Sequence, residues 1–223
     1  MESLRDDARV RVQAPSDPLR ALHTRLRDPT TPPDEFVRLS DRLAQSLVEF
    51  AVADLAYAER TVVTRTGAPF VGRDLARRDD LIGVSILRAG SAMEAALRRV
   101  LWPSLPIGKI LIQRDDENGC APVLSYCKLP VRTGPATTVL LCDPMLATGG
   151  SACRAVDCLV ERGVRPEGII LVSMIAAPEG IVRVRNRHPS VRVVVSMIDD
   201  GLNEHKYICP GIGDFGDLYF NSN

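Results

Sequence analysis

Net charge is missing from this chain of 223 residues, because 28 Lys and Arg are balanced by 28 Asp and Glu. Without overall attraction to phosphate backbones or anionic lipid, the balance argues against a nucleic-acid or membrane binder driven by electrostatics. Aromatic residues make up only 4%, too few for a base-stacking surface. Long apolar runs are absent as well. The longest, around Ile169 to Ala177, falls far short of the roughly 20 residues that cross a bilayer. Arg5, Asp6, Asp7, Arg9 and Arg11 interrupt the first fifteen residues, so no signal-peptide core is expected there. Cys120, Cys127, Cys142, Cys153, Cys158 and Cys209 are never spaced as Cys-x-x-Cys, and no Asn-x-Ser/Thr sequon occurs. The ending Asn221-Ser222-Asn223 is neither a prenylation box nor a peroxisomal address. These absences predict a cytoplasmic protein whose thiols stay reduced and pack as small hydrophobes.

What is present is aliphatic: hydrophobic residues reach 45% with few aromatics, which suits helices packed on a sheet. The length suits one domain. Residues 1–33 are loosely patterned and rich in Pro and Arg, and are expected to be a partly ordered N-terminal extension to a single domain over 34–223. Thr31-Pro32-Pro33-Asp34 reads as a helix start. The apolar period Phe36, Leu39, Leu43, Leu47, Phe50, Leu55 predicts a long amphipathic helix. Two β-rich runs around Gly67 predict a hairpin. Strand-like runs then begin at Ile82, Ile107, Thr137, Gly168 and Val191. Helical stretches at Ala92–Leu101, Ser151–Arg162 and Glu179–Arg187 punctuate them. Apolar runs without alternation, separated by helices, predict an α/β fold whose mainly parallel sheet is buried on both faces. A polar arm is expected over 115–128 and an ordered but irregular cap over 199–223.

The sharpest motif is Val139 to Ser151, where a buried strand ends in Asp143 and continues as Pro144-Met145-Leu146-Ala147-Thr148-Gly149-Gly150-Ser151 into a helix. In an open α/β sheet, ligands bind beyond the carboxyl ends of the strands. Glycines let backbone approach an anion, and the free amides of a helix N-terminus complete a phosphate cradle. Asp143 then faces sugar hydroxyls. Alone, Gly149-Gly150 reads better as a flexible connection with Ser151 as a plain N-cap, and it is the thirteen-residue context that favours the cradle. No lysine follows the glycine pair, so a Walker A loop is unsupported. Gly211-Ile212-Gly213-Asp214-Phe215-Gly216 matches the dinucleotide fingerprint in letters only. The seven residues after it cannot supply the required helix, strand and ribose-binding acid. It reads instead as a tight loop offering backbone groups to a small planar ligand.

Asp143 to Ser151, Ile86-Leu87-Arg88-Ala89-Gly90, Ala176-Ala177-Pro178-Glu179-Gly180, Gly201-Leu202-Asn203-Glu204-His205 and Gly211 to Asp217 closely resemble the uracil phosphoribosyltransferase family. The resemblance spans about residues 34 to 220, and Gly108 to Asp115 is similar to its eukaryotic branch. It implies a type I phosphoribosyltransferase fold and pyrimidine salvage. The reaction so implied moves ribose 5-phosphate from phosphoribosyl diphosphate (PRPP) to N1 of uracil, giving UMP and diphosphate with Mg²⁺ held mainly through PRPP and water. On this resemblance Ala147 to Ser151 cradle the 5-phosphate and Asp143 binds the ribose. Arg88 and Arg114, at adjacent strand ends, stabilise the leaving diphosphate. Pro144, Met145 and Leu146 complete the PRPP contacts. Ile208 and Gly213-Asp214-Phe215 read uracil through main-chain groups, while Asp214 also lies near the diphosphate and is placed to help N1 lose its proton. An Asp in such a turn also serves as a turn residue alone. His205 is expected to order the cap rather than act as a base.

The resemblance further implies a homodimer or homotetramer, admits GTP as an effector, and makes 115–128 a β-arm that covers the site or reaches a partner subunit. Departures from the family pattern are Lys206 for glycine, Leu218 for arginine, Asn118-Gly119-Cys120 in the arm, and Ser91 to Glu94. None touches the phosphate loop. Other readings of the residues are a phosphoribosyltransferase for another base, a catalytically silent PRPP- or nucleotide-binding regulator, and a ligand-free α/β scaffold.

Overall fold

The computed structural model describes residues 7–115 and 121–222. In its first half run β1 (Val10–Val12), α1 (Asp17–Arg27), α2 (Pro33–Val52), β2 (Tyr57–Val63), β3 (Pro69–Leu75), β4 (Leu81–Leu87), α3 (Glu94–Val100) and β5 (Ile107–Asp115). In its second half run β6 (Ala121–Lys128), β7 (Thr138–Cys142), β8 (Met145–Leu146), α4 (Gly150–Glu161), β9 (Ile169–Ala176) and α5 (Pro178–Arg187). The chain closes with β10 (Arg192–Ile198), β11 (Gly201–Leu202), β12 (Ile208–Cys209) and α6 (Phe215–Phe220).

Among the described residues, eight strands form one sheet in the order β1-β10-β9-β7-β4-β5-β6, with β8 also on β9. Every pairing is parallel except β5 with β6. Successive side chains of a strand point to opposite faces, and both faces here are apolar. In β7, Leu140 and Cys142 join the layer of α1, α2 and α3, while Val139 and Leu141 join the layer of α4. The stripe Phe36, Leu39, Leu43, Leu47 that defines α2 is buried against the first layer, as the 3.6-residue period requires. The expected mainly parallel α/β sheet is therefore the observed one. α2 ends at Val52, so Leu55 lies beyond it.

Residues expected as a loose extension are part of this architecture from residue 7 onward. β1 adds to the sheet edge beside β10, and Leu22 and Leu26 of α1 are buried in the main core. Ser16 caps α1 by accepting from Leu19 N–H at 3.4 Å. Arg11 stacks 4.2 Å over the Phe50 ring and pairs with Asp54. Periodicity over three strand residues and one short helix is too brief to stand out in the sequence. The cap also has more regular structure than expected, since β11 and β12 pair antiparallel and α6 follows. β6, within the expected arm, is an edge strand on β5; Asn118-Gly119-Cys120 lies outside the described residues. The predicted hairpin β2–β3 forms as a separate two-stranded unit and exposes Val63, Phe70 and Val71.

His23 in α1 is buried, with Nε2 2.9 Å from Ser196 Oγ. Burial, reinforced by Arg27 and opposed by Asp199, lowers its pKa to about 4. An imidazole in the unfolded chain titrates near 6.5. Between those values the unfolded state binds a proton that the native state refuses, so stability drops as pH falls from 6.5 towards 4. The full loss is about 3 kcal/mol. Urea melts of wild type and His23→Gln across this range should show a slope in the first that is reduced in the second.

Candidate active site

The order of strands reverses direction between β4 and β7, and side chains at the carboxyl ends of such a pair face a natural crevice. Ser85 of β4 is in register with Cys142 of β7, so Arg88 and Asp143 follow neighbouring strand ends. A cleft of about 280 Å³ opens there. Of the expected site residues it brings together Arg88, Asp143, Met145, Ala147, Ser151, Ile208, Gly213, Asp214 and Phe215. Pro144, Leu146, Thr148, Gly149 and Gly150 are not among its lining residues. Arg114 falls near the end of β5, but its side chain lies outside the described part of the structure.

The loop after Asp143 is more ordered than its sequence suggests. Asp143 N–H donates to Val172 C=O at 3.1 Å, and Pro144 C=O accepts from Met174 and Ile175. β8 then extends the pairing with β9, which turns the Leu146 side chain into the core, 1% exposed. Leu146 can thus offer a ligand only main-chain groups, and its carbonyl already accepts from Ala177 N–H at 2.9 Å. Gly149, with φ +74°, leads into α4. The first intrahelical bond runs from Cys153 N–H to Gly149 C=O, so the amides of Gly150, Ser151 and Ala152 precede the helical ladder. This is the geometry of an anion cradle. Two groups that sequence reading missed border it: a side chain at 150 would sit 3.4 Å from Arg183 Nη1 and 3.6 Å from Pro122 Cγ.

Behind the cradle, Gly180 of α5 touches the loop. A Cβ there would lie 2.4 Å from Ala147 O and 2.8 Å from Leu146 O. Gly90 is equally confined, since its Cβ would meet Cys142 O at 2.3 Å. These approaches explain why glycine stands outside the 143–151 loop itself, in the Ala-Gly and Pro-Glu-Gly segments.

Arg88 follows a cis Leu87–Arg88 peptide bond and lies across the cleft towards α6. Its guanidinium pairs with Asp217 and donates to Ser222 Oγ at 2.8 Å. Gly216 leaves room for it: a Cβ at 216 would be 3.4 Å from Arg88 Nη2. Asp217 is held below the usual carboxylate range chiefly by this contact. Asp214 Oδ1 caps α6 by accepting from Asp217 N–H at 3.1 Å. The Phe215 ring turns inward against Phe36 and Tyr219, with centroids 5.8 and 5.5 Å away, and Ile208 is 6% exposed. Both side chains are buried, and both residues line the cleft.

His205, Lys206 and Tyr207 also line the cleft. Asn203 builds their turn, its Oδ1 accepting from His205 N–H at 3.0 Å and Tyr207 N–H at 2.9 Å. The cap is ordered by Asn203, then, and not by the His205 ring, whose Nε2 lies 3.4 Å from Glu204. Lys206 has φ +64°, the left-handed region that favours glycine. Tyr207 was not singled out in the sequence, although an aromatic residue beside Ile208 in so aromatic-poor a chain is a usable signal.

Residues 14–222 match the uracil phosphoribosyltransferase family. A uracil phosphoribosyltransferase of Dictyostelium discoideum is 46% identical over 204 residues, covering 92% of each chain. The solved AQ2163 protein of Aquifex aeolicus superimposes with a TM-score of 0.82 at 28% identity, over 96% of this chain and 99% of that one. An adenine phosphoribosyl transferase of Trypanosoma brucei shares the fold at a TM-score of 0.56 and 11% identity, over 87% and 85% of the two chains. With a cleft at the strand switch point, a helix-start cradle and a backbone-lined turn in one place, this chain belongs to the uracil phosphoribosyltransferase family.

Proposed function

We propose that the cleft transfers 5-phosphoribosyl from PRPP to N1 of uracil, releasing diphosphate and UMP. The observation that carries this reading is the shared cleft, in which Asp143, Ser151, Arg88, Ile208 and Gly213 to Gly216 line one space. Main-chain amides of Thr148 to Ser151 hold the 5-phosphate at the start of α4, with Ala147 shaping the wall. Asp143 accepts from ribose hydroxyls, and Pro144 to Leu146 set its height through their pairing with β9. The bond from the anomeric carbon to diphosphate oxygen breaks as N1 of uracil approaches. Arg88 and Arg114 donate to the departing oxygens, where negative charge grows. Uracil presents a carbonyl, an N–H and a second carbonyl along one edge. Ile208 and Gly213 to Phe215 match that edge with backbone groups, and Asp214 receives the N1 proton.

Among the described residues no group of three or more His, Cys, Asp or Glu is arranged to hold a metal. In this reading the Mg²⁺ ion enters on the substrate and takes most of its ligands from diphosphate and water. When bound, Mg²⁺ neutralises charge on the leaving group. The exposed apolar strip of β2–β3, with Val63 75% exposed, supports a homodimer or homotetramer in which another copy covers it. Among the described residues no helix is long and apolar enough to cross a membrane, and the five described cysteines are free. Both fit a cytoplasmic enzyme.

Purified protein with radiolabelled uracil, PRPP and Mg²⁺ should form labelled UMP. No UMP would overturn the reading, and retained PRPP binding without turnover would mark a silent regulator instead.

A further inference from the structure

Two charged side chains that have no part in the mechanism above meet behind the base-reading turn. Arg27, in the last turn of α1, and Asp199, the residue after β10, form a two-pronged ion pair. Nη1 lies 2.7 Å from Oδ2 and Nη2 lies 2.7 Å from Oδ1. The Asp199 side chain is 2% exposed and that of Arg27 17%. A buried pair on its own contributes little to stability, because desolvation offsets its attraction unless further hydrogen bonds complete it. Here those bonds go to one residue of the turn. Asp199 Oδ2 accepts from Gly211 N–H at 2.8 Å, and Arg27 Nη1 donates to Gly211 C=O at 2.9 Å. Arg27 Nη2 also lies 3.3 Å from Met197 Sδ. Asp199 is itself fixed to the sheet, since its N–H donates to Ala176 C=O at 2.9 Å.

Gly211 is the pivot of the turn. Its φ is +59°, and a Cβ would lie 2.1 Å from Ile208 O, so no other residue fits without movement. It stands between Ile208 on one side and Gly213 to Phe215 on the other. A side chain that reads a base can adjust by changing rotamer, whereas a backbone group is only as well placed as the chain that carries it. Both hydrogen-bonding groups of the pivot are held by this ion pair.

We propose that Arg27 and Asp199 are positioning residues for the base: by gripping both polar groups of Gly211, they set the spacing of the main-chain groups that read uracil. The proposal rests on the assignment of Ile208 and Gly213 to Phe215 as base readers. It makes α1, which precedes every recognisable motif, a determinant of base affinity.

Arg27→Lys tests it with little risk to folding, because the ammonium still neutralises Asp199 but cannot span Asp199 and Gly211 with a planar fork. The expected result is a rise of roughly tenfold or more in KM for uracil, with KM for PRPP and the melting temperature nearly unchanged. Asp199→Asn should also raise uracil KM, with a lowered melting temperature because the Arg27 cation loses its buried counter-charge. A melting temperature lowered without change in uracil KM, or equal rises in both KM values, would assign the pair a purely structural role. Gly213→Ala separates the proposal from its premise, since φ is +81° there and no atom lies within 4 Å of the added methyl. If Gly213→Ala raises uracil KM and Arg27→Lys does not, the positioning role fails alone. If neither does, the base-reader assignment fails with it. A rise in Arg27→Lys alone keeps the positioning role and removes Gly213 as a reader.

Discussion

Gly180→Ala is expected to lower kcat/KM for PRPP about a hundredfold, although residue 180 is not a substrate contact in the mechanism proposed above. The added methyl would meet two backbone carbonyl oxygens, at 2.4 Å on Ala147 and 2.8 Å on Leu146. Neither is the end of a flexible side chain, so either the loop or the start of α5 has to shift. The relation is reciprocal, because a Cβ on Gly149 would lie 2.7 Å from Gly180 O. Displacing a substrate cradle by about 1 Å costs about 10²-fold in rate. Steady-state kinetics with varied PRPP measure the loss, and a melting curve checks that the fold survives. Wild-type kinetics would show that the loop tolerates movement and that the close contact does not set its position.

Asp143→Asn should reduce turnover by about 10²- to 10³-fold, the scale seen when one well-placed polar partner of the reacting groups is removed. The substitution keeps the shape of the side chain and the 3.1 Å bond from the residue 143 N–H to Val172. It removes the negative charge and replaces one acceptor oxygen with a donor. Ribose hydroxyls that donate to Asp143 would then meet an N–H. Kinetics together with circular dichroism decide the matter: a folded Asp143→Asn protein with full activity would remove Asp143 from the sugar.

The strand, loop and helix from Val139 to Ser151 were legible in the sequence because each depends on neighbours in the chain. Buried strands announce themselves by unbroken apolar runs, and a glycine pair before a helix marks a close approach. The tight turn that brings Gly213 to Phe215 to the cleft was legible too, because a glycine-rich segment marks such a turn. Arg27 was not, since its carboxylate partner is 172 positions away and nothing local links the two. The same distance problem hid Asp217 from Arg88, 129 positions apart. The inward turn of the Leu146 side chain was not legible either, because a two-residue strand has no readable period. Its pairing with Ala176 decided which way it points. Gly180 and Gly90 were visible as members of motifs, but the oxygen atoms that confine them belong to other elements.

The contact between Arg88 and Asp217 alters what anion capture means at that end of the cleft. A guanidinium already paired with a carboxylate is no bare positive charge waiting in solvent. In the role proposed for Arg88, a diphosphate that took the place of Asp217 would gain only the difference between two ion pairs. Small ions screen the outgoing pair as they screen the incoming one. Capture by Arg88 in that mode would be an exchange of counterions, less sensitive to salt than attraction to an unpaired cation. Such an exchange would also release the Asp217 carboxylate of α6, so that arrival of the anion would be felt in the segment proposed to face the base.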